Sequence, residues 1–300
     1  MNTLKRSCLA VLAAAAVAAQ PRAAAEAPRV RAAAALQPVA GLVEELGAGR
    51  WSCEALVPAG ADPHSWEPSP KTVASLSGVA AFFESGMPFE RILADRLRRR
   101  DPSLAVVSLS GASAGGAPLG AHSHVGGGDP HGWLSPRELG DWAGTISRRL
   151  SVADPYGTEI YAAALAAWRE RAEAAETAIR AALPTGLVFA AVHPAYGPFA
   201  EAFGLEQVPL ETDGHEPGPR ALAAAKARLA ETGARAILVQ NASERRRAAA
   251  FASGTGLQIV GVDPLGRDAI ATMLEISRAL VAPGDADGPP APSPQGAPSP

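Results

Sequence analysis

A chain of 300 residues with 47% hydrophobic and 19% charged content is long enough for one large or two modest folded units, and global disorder is excluded. A formal net charge of −3 with no Lys/Arg stripe excludes an electrostatic nucleic-acid binder. The cluster Arg96, Arg98, Arg99 and Arg100 ends a predicted helix, where it complements the negative end of the dipole.

Taken in chain order, Lys5 and Arg6 precede an apolar run from Leu9 to Ala19 and then the small-residue stretch "RAAAEA". This pattern predicts an export signal over residues 1–25, cut after Ala25, and the run is too short to stay in a bilayer as an anchor. Those residues carry Lys5, Arg6 and Arg22 and no acid, so their removal takes the charge from −3 to −6. Cys8 lies before the apolar run and is badly placed for lipidation. Cys53 then remains alone, reads as a small buried hydrophobe, and allows no internal disulfide, which suits a bacterial periplasm. No second apolar segment is long enough to span a membrane.

"VRAAAALQPVAGLVEELG" reads as a strand running into a helix, "WSCEALVP" as a strand, and "SPKTVASLSG" as a helix capped by Ser69 with Pro70 in its first turn. "VAAFFES", "PFERILADRLRRR" and "LAVVSLS" continue as strand, helix and strand. "SPRELGDWAGTISRRLS" is a helix, and a long helix from about Tyr156 to Leu183 spans roughly 40 Å. Alternation then restarts with "GLVFAAVHP" as strand, "AYGPFAEAFG" and "PRALAAAKARLAETG" as helices, "ARAILVQ" as strand, "SERRRAAAFASGTG" as helix, "LQIVGVDPLG" as strand and turn, and "RDAIATMLEISRALVAP" as helix. The expected fold is α/β, with two lobes, each a mostly parallel sheet flanked by helices, joined by one long backbone helix. The expected boundaries are 26–150 for the N-terminal lobe, 151–184 for the connecting helix, 185–283 for the C-terminal lobe and 284–300 for a Pro/Gly/Ser-rich disordered tail.

The chain repeats one rare frame: "DPHSWEPSP" from Asp62 and "DPHGWLSP" from Asp129, in a sequence with six histidines and five tryptophans. Proline fixes its own φ and restricts the residue before it, so each histidine leaves its turn in a nearly preset direction. His64 follows a strand, His131 precedes a helix, His193 ends a strand and Asp263 sits at another strand end. In open α/β sheets ligands bind beyond the carboxyl ends of strands, so these groups could meet in the cleft between lobes. Three imidazoles and a carboxylate suit tetrahedral zinc. Asp62 and Asp129 are placed to accept hydrogen bonds from backbone amides or the distal imidazole nitrogen, and Trp66 and Trp133 to wall off water. The competing reading is a pair of ordinary turn histidines; two copies, both at strand ends, favour the metal site.

These stretches, with "VHPAYGPFAEAFGL" and "VDPLG", resemble the zinc-uptake solute-binding proteins of bacterial ABC importers, the ZnuA/TroA-like receptors, from about Val30 to Leu280. The resemblance implies two α/β lobes on one backbone helix, and His64, His131 and His193 as ligands to a transported Zn²⁺. It implies Asp263 or water in the last position. It also implies a periplasmic monomer that docks on a membrane permease driven by a separate ATPase, not an enzyme. Manganese-selective relatives usually place glutamate where His193 stands. The His-rich loop common before the second motif is short here, with His122 and His124 as either a zinc-collecting arm or exposed loop residues. Pro194 stands where an acid is common, which leaves the partner of His193 open. Tyr196 reads as a packing residue, His215 and Glu67 as surface groups. No H-E-x-x-H, C-x-x-C or P-loop occurs. The remaining alternatives are an exported zinc-dependent hydrolase, which needs an open coordination position and a carboxylate base, and a manganese or other divalent-metal receptor of the same fold. A surface adhesin or a metal store fits less well, given six histidines and no lipid anchor.

Overall fold

The computed structural model describes residues 29–110, 129–211 and 217–283. The expected signal segment, the tail, His122, His124 and His215 lie outside those residues.

The N-terminal lobe runs β1 (Val30–Ala34), α1 (Gln37–Gly47), β2 (Trp51–Ala55), α2 (Pro70–Ser75), β3 (Ala81–Glu84), α3 (Pro88–Arg100) and β4 (Ala105–Ser108). Two longer helices follow, α4 (Pro136–Ala153) and α5 (Thr158–Ala182). The C-terminal lobe runs β5 (Val188–Ala191), α6 (Gly197–Phe203), β6 (Glu206–Pro209), α7 (Pro219–Thr232), β7 (Ala236–Val239), α8 (Ala242–Ala252), β8 (Gln258–Gly261) and α9 (Ala269–Val281). Helix starts follow local chemistry. Proline occupies the first turn of α1, α2, α3, α4, α6 and α7, where its missing N–H costs nothing. Ser69, Ser135, Asn241 and Asp268 accept first-turn amides of α2, α4, α8 and α9.

Both sheets have four strands, all parallel, in orders β2-β1-β3-β4 and β6-β5-β7-β8. The two lobes therefore repeat one topology, and each has its switch of strand order at the carboxyl ends of its two central strands, where such sheets leave a crevice. One element differs from expectation. The sequence reading passes from α6 to α7 without a strand, yet β6 pairs with β5 from Val188 opposite Glu206 to Ala191 opposite Pro209. Its residues, EQVP, have no apolar run, because β6 is an edge strand with one buried side chain, and an edge tolerates a terminal proline.

Helix α5 has 25 residues and so spans about 37 Å. It begins after Asp154, where the Asp-Pro step ends α4 and a 3-10 turn, Pro155–Gly157, redirects the chain. Buried Tyr161 fixes this corner. Its hydroxyl donates to Asp154 Oδ2 at 2.5 Å and accepts from Trp51 Nε1 at 3.0 Å, while Arg50 Nε donates to Asp154 Oδ2 at 2.7 Å.

A continuous apolar core passes through both lobes by way of α1, α4, α5 and α9, and a second cluster fills the outer side of each sheet. Polar ties cross the same junction. Arg267, after β8, donates to Gln37 Oε1 at 2.8 Å, Glu44 Oε2 at 2.7 Å and the Cys53 carbonyl at 3.2 Å in the N-terminal lobe. Arg171 on α5 joins Glu45 and Asp268, both at 2.7 Å. A Cβ at Gly41 would lie 2.0 Å from the Arg267 carbonyl oxygen, so only glycine lets α1 approach the opposite lobe this closely. A shared core and cross-lobe ion pairs oppose a wide hinge motion. Cys53 is buried and free, and burial pushes its thiol well above the usual range. Among the described residues no helix is long and apolar enough to cross a membrane.

Candidate metal centre

The two Asp-Pro-His turns and the end of β5 deliver three imidazoles to one point. His131 Nε2 lies 3.4 Å from His64 Nε2 and 3.3 Å from His193 Nε2, and the donor nitrogens of all three fall within 4.8 Å of one another. The edge of a ZnN₄ tetrahedron with bonds of 2.0–2.1 Å is about 3.3–3.4 Å, so both spacings match nitrogens sharing one zinc-sized cation. His131 is 5% exposed, His193 is half-buried and His64 faces solvent, so the site has a closed floor and an open mouth.

The Asp-Pro frame does two things. Asp62 Oδ1 and Asp129 Oδ1 accept the backbone N–H of His64 and His131, at 2.9 and 3.0 Å, locking each turn. Asp129 Oδ1 also takes the His131 Nδ1 proton at 2.5 Å, which fixes the tautomer and leaves Nε2 as the free lone pair. Asp62 spends its second oxygen on Ser65 Oγ at 3.0 Å, and among the described residues His64 has no matching carboxylate on its ring. Gly197 makes room for Asp129, since a Cβ there would lie 2.4 Å from Asp129 Oδ2.

His193 has the partner that Pro194 does not supply. Glu211, just beyond β6, is 5% exposed and accepts the His193 Nδ1 proton at 2.7 Å, while Arg247 on α8 donates to its other oxygen at 2.7 Å. Neither Glu211 nor Arg247 was singled out by the sequence: Glu211 follows the unpredicted strand β6, and Arg247 is one of three consecutive arginines on α8 with no local sign of its partner.

The tryptophans differ from their expected role as matching walls. Trp133 is fully buried, sits edge-on to His131 at 5.2 Å, and donates from Nε1 to the Pro264 carbonyl at 2.7 Å, tying the second histidine turn to the opposite lobe. Trp66 is half-buried and packs edge-on against Phe89 at 5.2 Å. Tyr196 packs, fully buried, with its hydroxyl donating to the Val262 carbonyl at 2.9 Å, and Glu67 is exposed.

Asp263 lies at the end of β8 but outside the three-histidine group. Its Oδ1 accepts the Leu265 N–H at 2.8 Å, and burial pushes its carboxyl above the usual range.

Residues 33–281 match the family described as zinc-uptake complex component A periplasmic, ZnuA. The chain belongs to that family. It is a family of metal-binding substrate-binding receptors of ABC-type uptake systems rather than a family of enzymes. It is 29% identical over 303 residues to the high-affinity zinc uptake system protein ZnuA of Paracoccus denitrificans, covering 89% of this chain and 92% of that one. It is also 29% identical over 182 residues to the manganese-binding lipoprotein MntA of Halalkalibacterium halodurans, spanning 59% of each chain. The crystal structure of a ZnuA superposes with a TM-score of 0.75 at 25% identity, over 85% of this chain and 98% of that one.

The ZnuA-family site has a pH signature of its own in this chain. Burial first, and then the neighbouring His193 and His131, hold the His64 imidazole below its usual range. Unfolded, His64 titrates near pH ~6.5; folded, it resists protonation until lower pH. Its contribution to metal-free stability is therefore complete above pH ~6.5 and is lost as pH falls through the folded value. Urea titrations of metal-free wild type and His64→Ala at several pH values are expected to show the wild type losing more stability on acidification. Parallel curves would refute the shift.

Proposed function

We propose that the chain is a zinc receptor of the periplasm that binds Zn²⁺ through His64, His131 and His193 and delivers it to the permease of an ABC importer with its ATPase. The observation carrying this reading is the Nε2 spacing of 3.3 and 3.4 Å among imidazoles whose distal nitrogens are held by carboxylates on two of the three rings. Nitrogen donors favour zinc over manganese, which prefers oxygen. Asp263 is the proposed fourth ligand. Its Oδ2 accepts no hydrogen bond among the described residues, which leaves it available to a cation, and water is the alternative fourth ligand.

The manganese-binding relative supports a second reading, a receptor of broader divalent selectivity. Competition titrations against a chelator separate the two. Zinc is expected to bind tighter than manganese by about a hundredfold or more, following ligand softness. Equal affinities would overturn the zinc assignment, and an unchanged zinc affinity in Asp263→Asn would assign the fourth position to water.

A further inference from the structure

Between α7 and α8 the C-terminal lobe contains a cavity of about 720 Å³, whose lining includes Val192 and Leu210, the residues just before His193 and Glu211. That size falls among ordinary small-molecule pockets. Its wall is apolar, with Val192, Leu210, Leu222 and Phe251, and three of these belong to the outer core cluster of the lobe. Its charged lining is entirely cationic: Lys226 from α7, and Arg246 and Arg247 from α8, with no acid among the described lining residues. Arg247 is committed to Glu211 at 2.7 Å. Lys226 Nζ lies 5.2 Å over the Phe251 ring, and Arg246 is exposed; neither has an acidic partner among the described residues.

An apolar chamber with two cations that have no acidic partner among the described residues has a definite preference. Its wall gains by taking apolar surface out of water, and its cations gain from a charge-assisted hydrogen bond to an anionic head. A neutral apolar ligand forgoes the second gain, and a small inorganic anion the first. We propose that this cavity binds a small amphipathic monoanion, a carboxylate on an apolar body, with the body against Val192, Leu210, Leu222 and Phe251 and the head at Lys226 and Arg246. None of the three histidines lines this cavity, and the proposed head contacts, Lys226 and Arg246, lie outside the His193–Glu211–Arg247 chain. Its test uses no metal, so its failure would leave the zinc reading untouched.

Calorimetric titration of metal-free protein with octanoate, and in parallel with octan-1-ol, tests it. Octanoate is expected to bind saturably at one site, with octanol weaker by about tenfold, the worth of one charge-assisted contact. The double substitution Lys226→Ala and Arg246→Ala is expected to lower octanoate affinity about tenfold, with circular dichroism confirming the fold. Methyl chemical-shift changes should concentrate at Val192, Leu210 and Leu222. Absence of saturable octanoate binding, equal affinity for octanol, indifference to the double substitution, or shifts located elsewhere would each overturn the proposal. The octanoate–octanol comparison needs no variant, so the proposal stays exposed even where a substitution harms folding.

Discussion

His131→Ala is expected to weaken zinc binding by about a hundredfold or more, the largest loss of any single substitution at the site. Structural zinc sites with four ligands are worth about 10–16 kcal/mol, so one ligand's even share is roughly 2.5–4 kcal/mol. His131 is the shared member of the set: it sits 3.4 Å from one partner nitrogen and 3.3 Å from the other, and it is the most buried of the three. Its loss removes the donor that the other two both neighbour and leaves the Asp129 carboxylate without its imidazole. The backbone amide of position 131 still donates to Asp129, so the turn itself should persist. His64→Ala and His193→Ala are expected to follow in the same direction, whereas His122→Ala and His124→Ala should change little. Chelator-competition calorimetry reads all five. Unchanged affinity in the three principal variants would remove the site, and circular dichroism separates loss of ligand from loss of fold.

What the sequence discloses about this site depends on whether the chemistry is local. His64 and His131 are legible because their geometry is written in adjacent residues: an Asp-Pro step, a turn and a carboxylate two positions before the ring. The lobes and α5 are legible because short continuous apolar runs, the strands, alternate with helical segments of period 3.6, and prolines mark six helix starts. Trp133 was recognised as part of the motif but its partner was not, since the Pro264 carbonyl lies 131 residues away. Glu211 illustrates the limit most clearly. An isolated glutamate after a polar four-residue edge strand has no periodicity to announce it, and only the parallel pairing of β6 with β5 sets it beside His193. Pro194 correctly signalled that a local acid was missing; the fold supplies the carboxylate from the neighbouring strand instead.

That long-range carboxylate leads to the second large effect. Glu211→Gln is expected to lower zinc affinity by about tenfold to a hundredfold, the usual cost of losing a carboxylate behind a metal-bound histidine. The amide keeps the shape and can still accept the His193 Nδ1 proton, but the negative charge that makes the imidazole a stronger donor is gone. With its oxygen on His193 the amide turns its NH₂ to Arg247, leaving a half-buried guanidinium contact unmatched where Oε2 now accepts at 2.7 Å. Arg247→Ala separates orientation from charge. It leaves the Glu211 carboxylate in place, 5% exposed and without its counter-ion, so metal-free stability should fall while zinc, arriving as a new positive charge nearby, should bind no more weakly than in wild type. Opposite responses of the two variants in chelator-competition titrations, with urea denaturation of the metal-free forms alongside, are the expected outcome. If both variants lose affinity equally, the His193–Glu211–Arg247 chain acts only as packing, and the electrostatic account of how this lobe tunes its histidine is wrong.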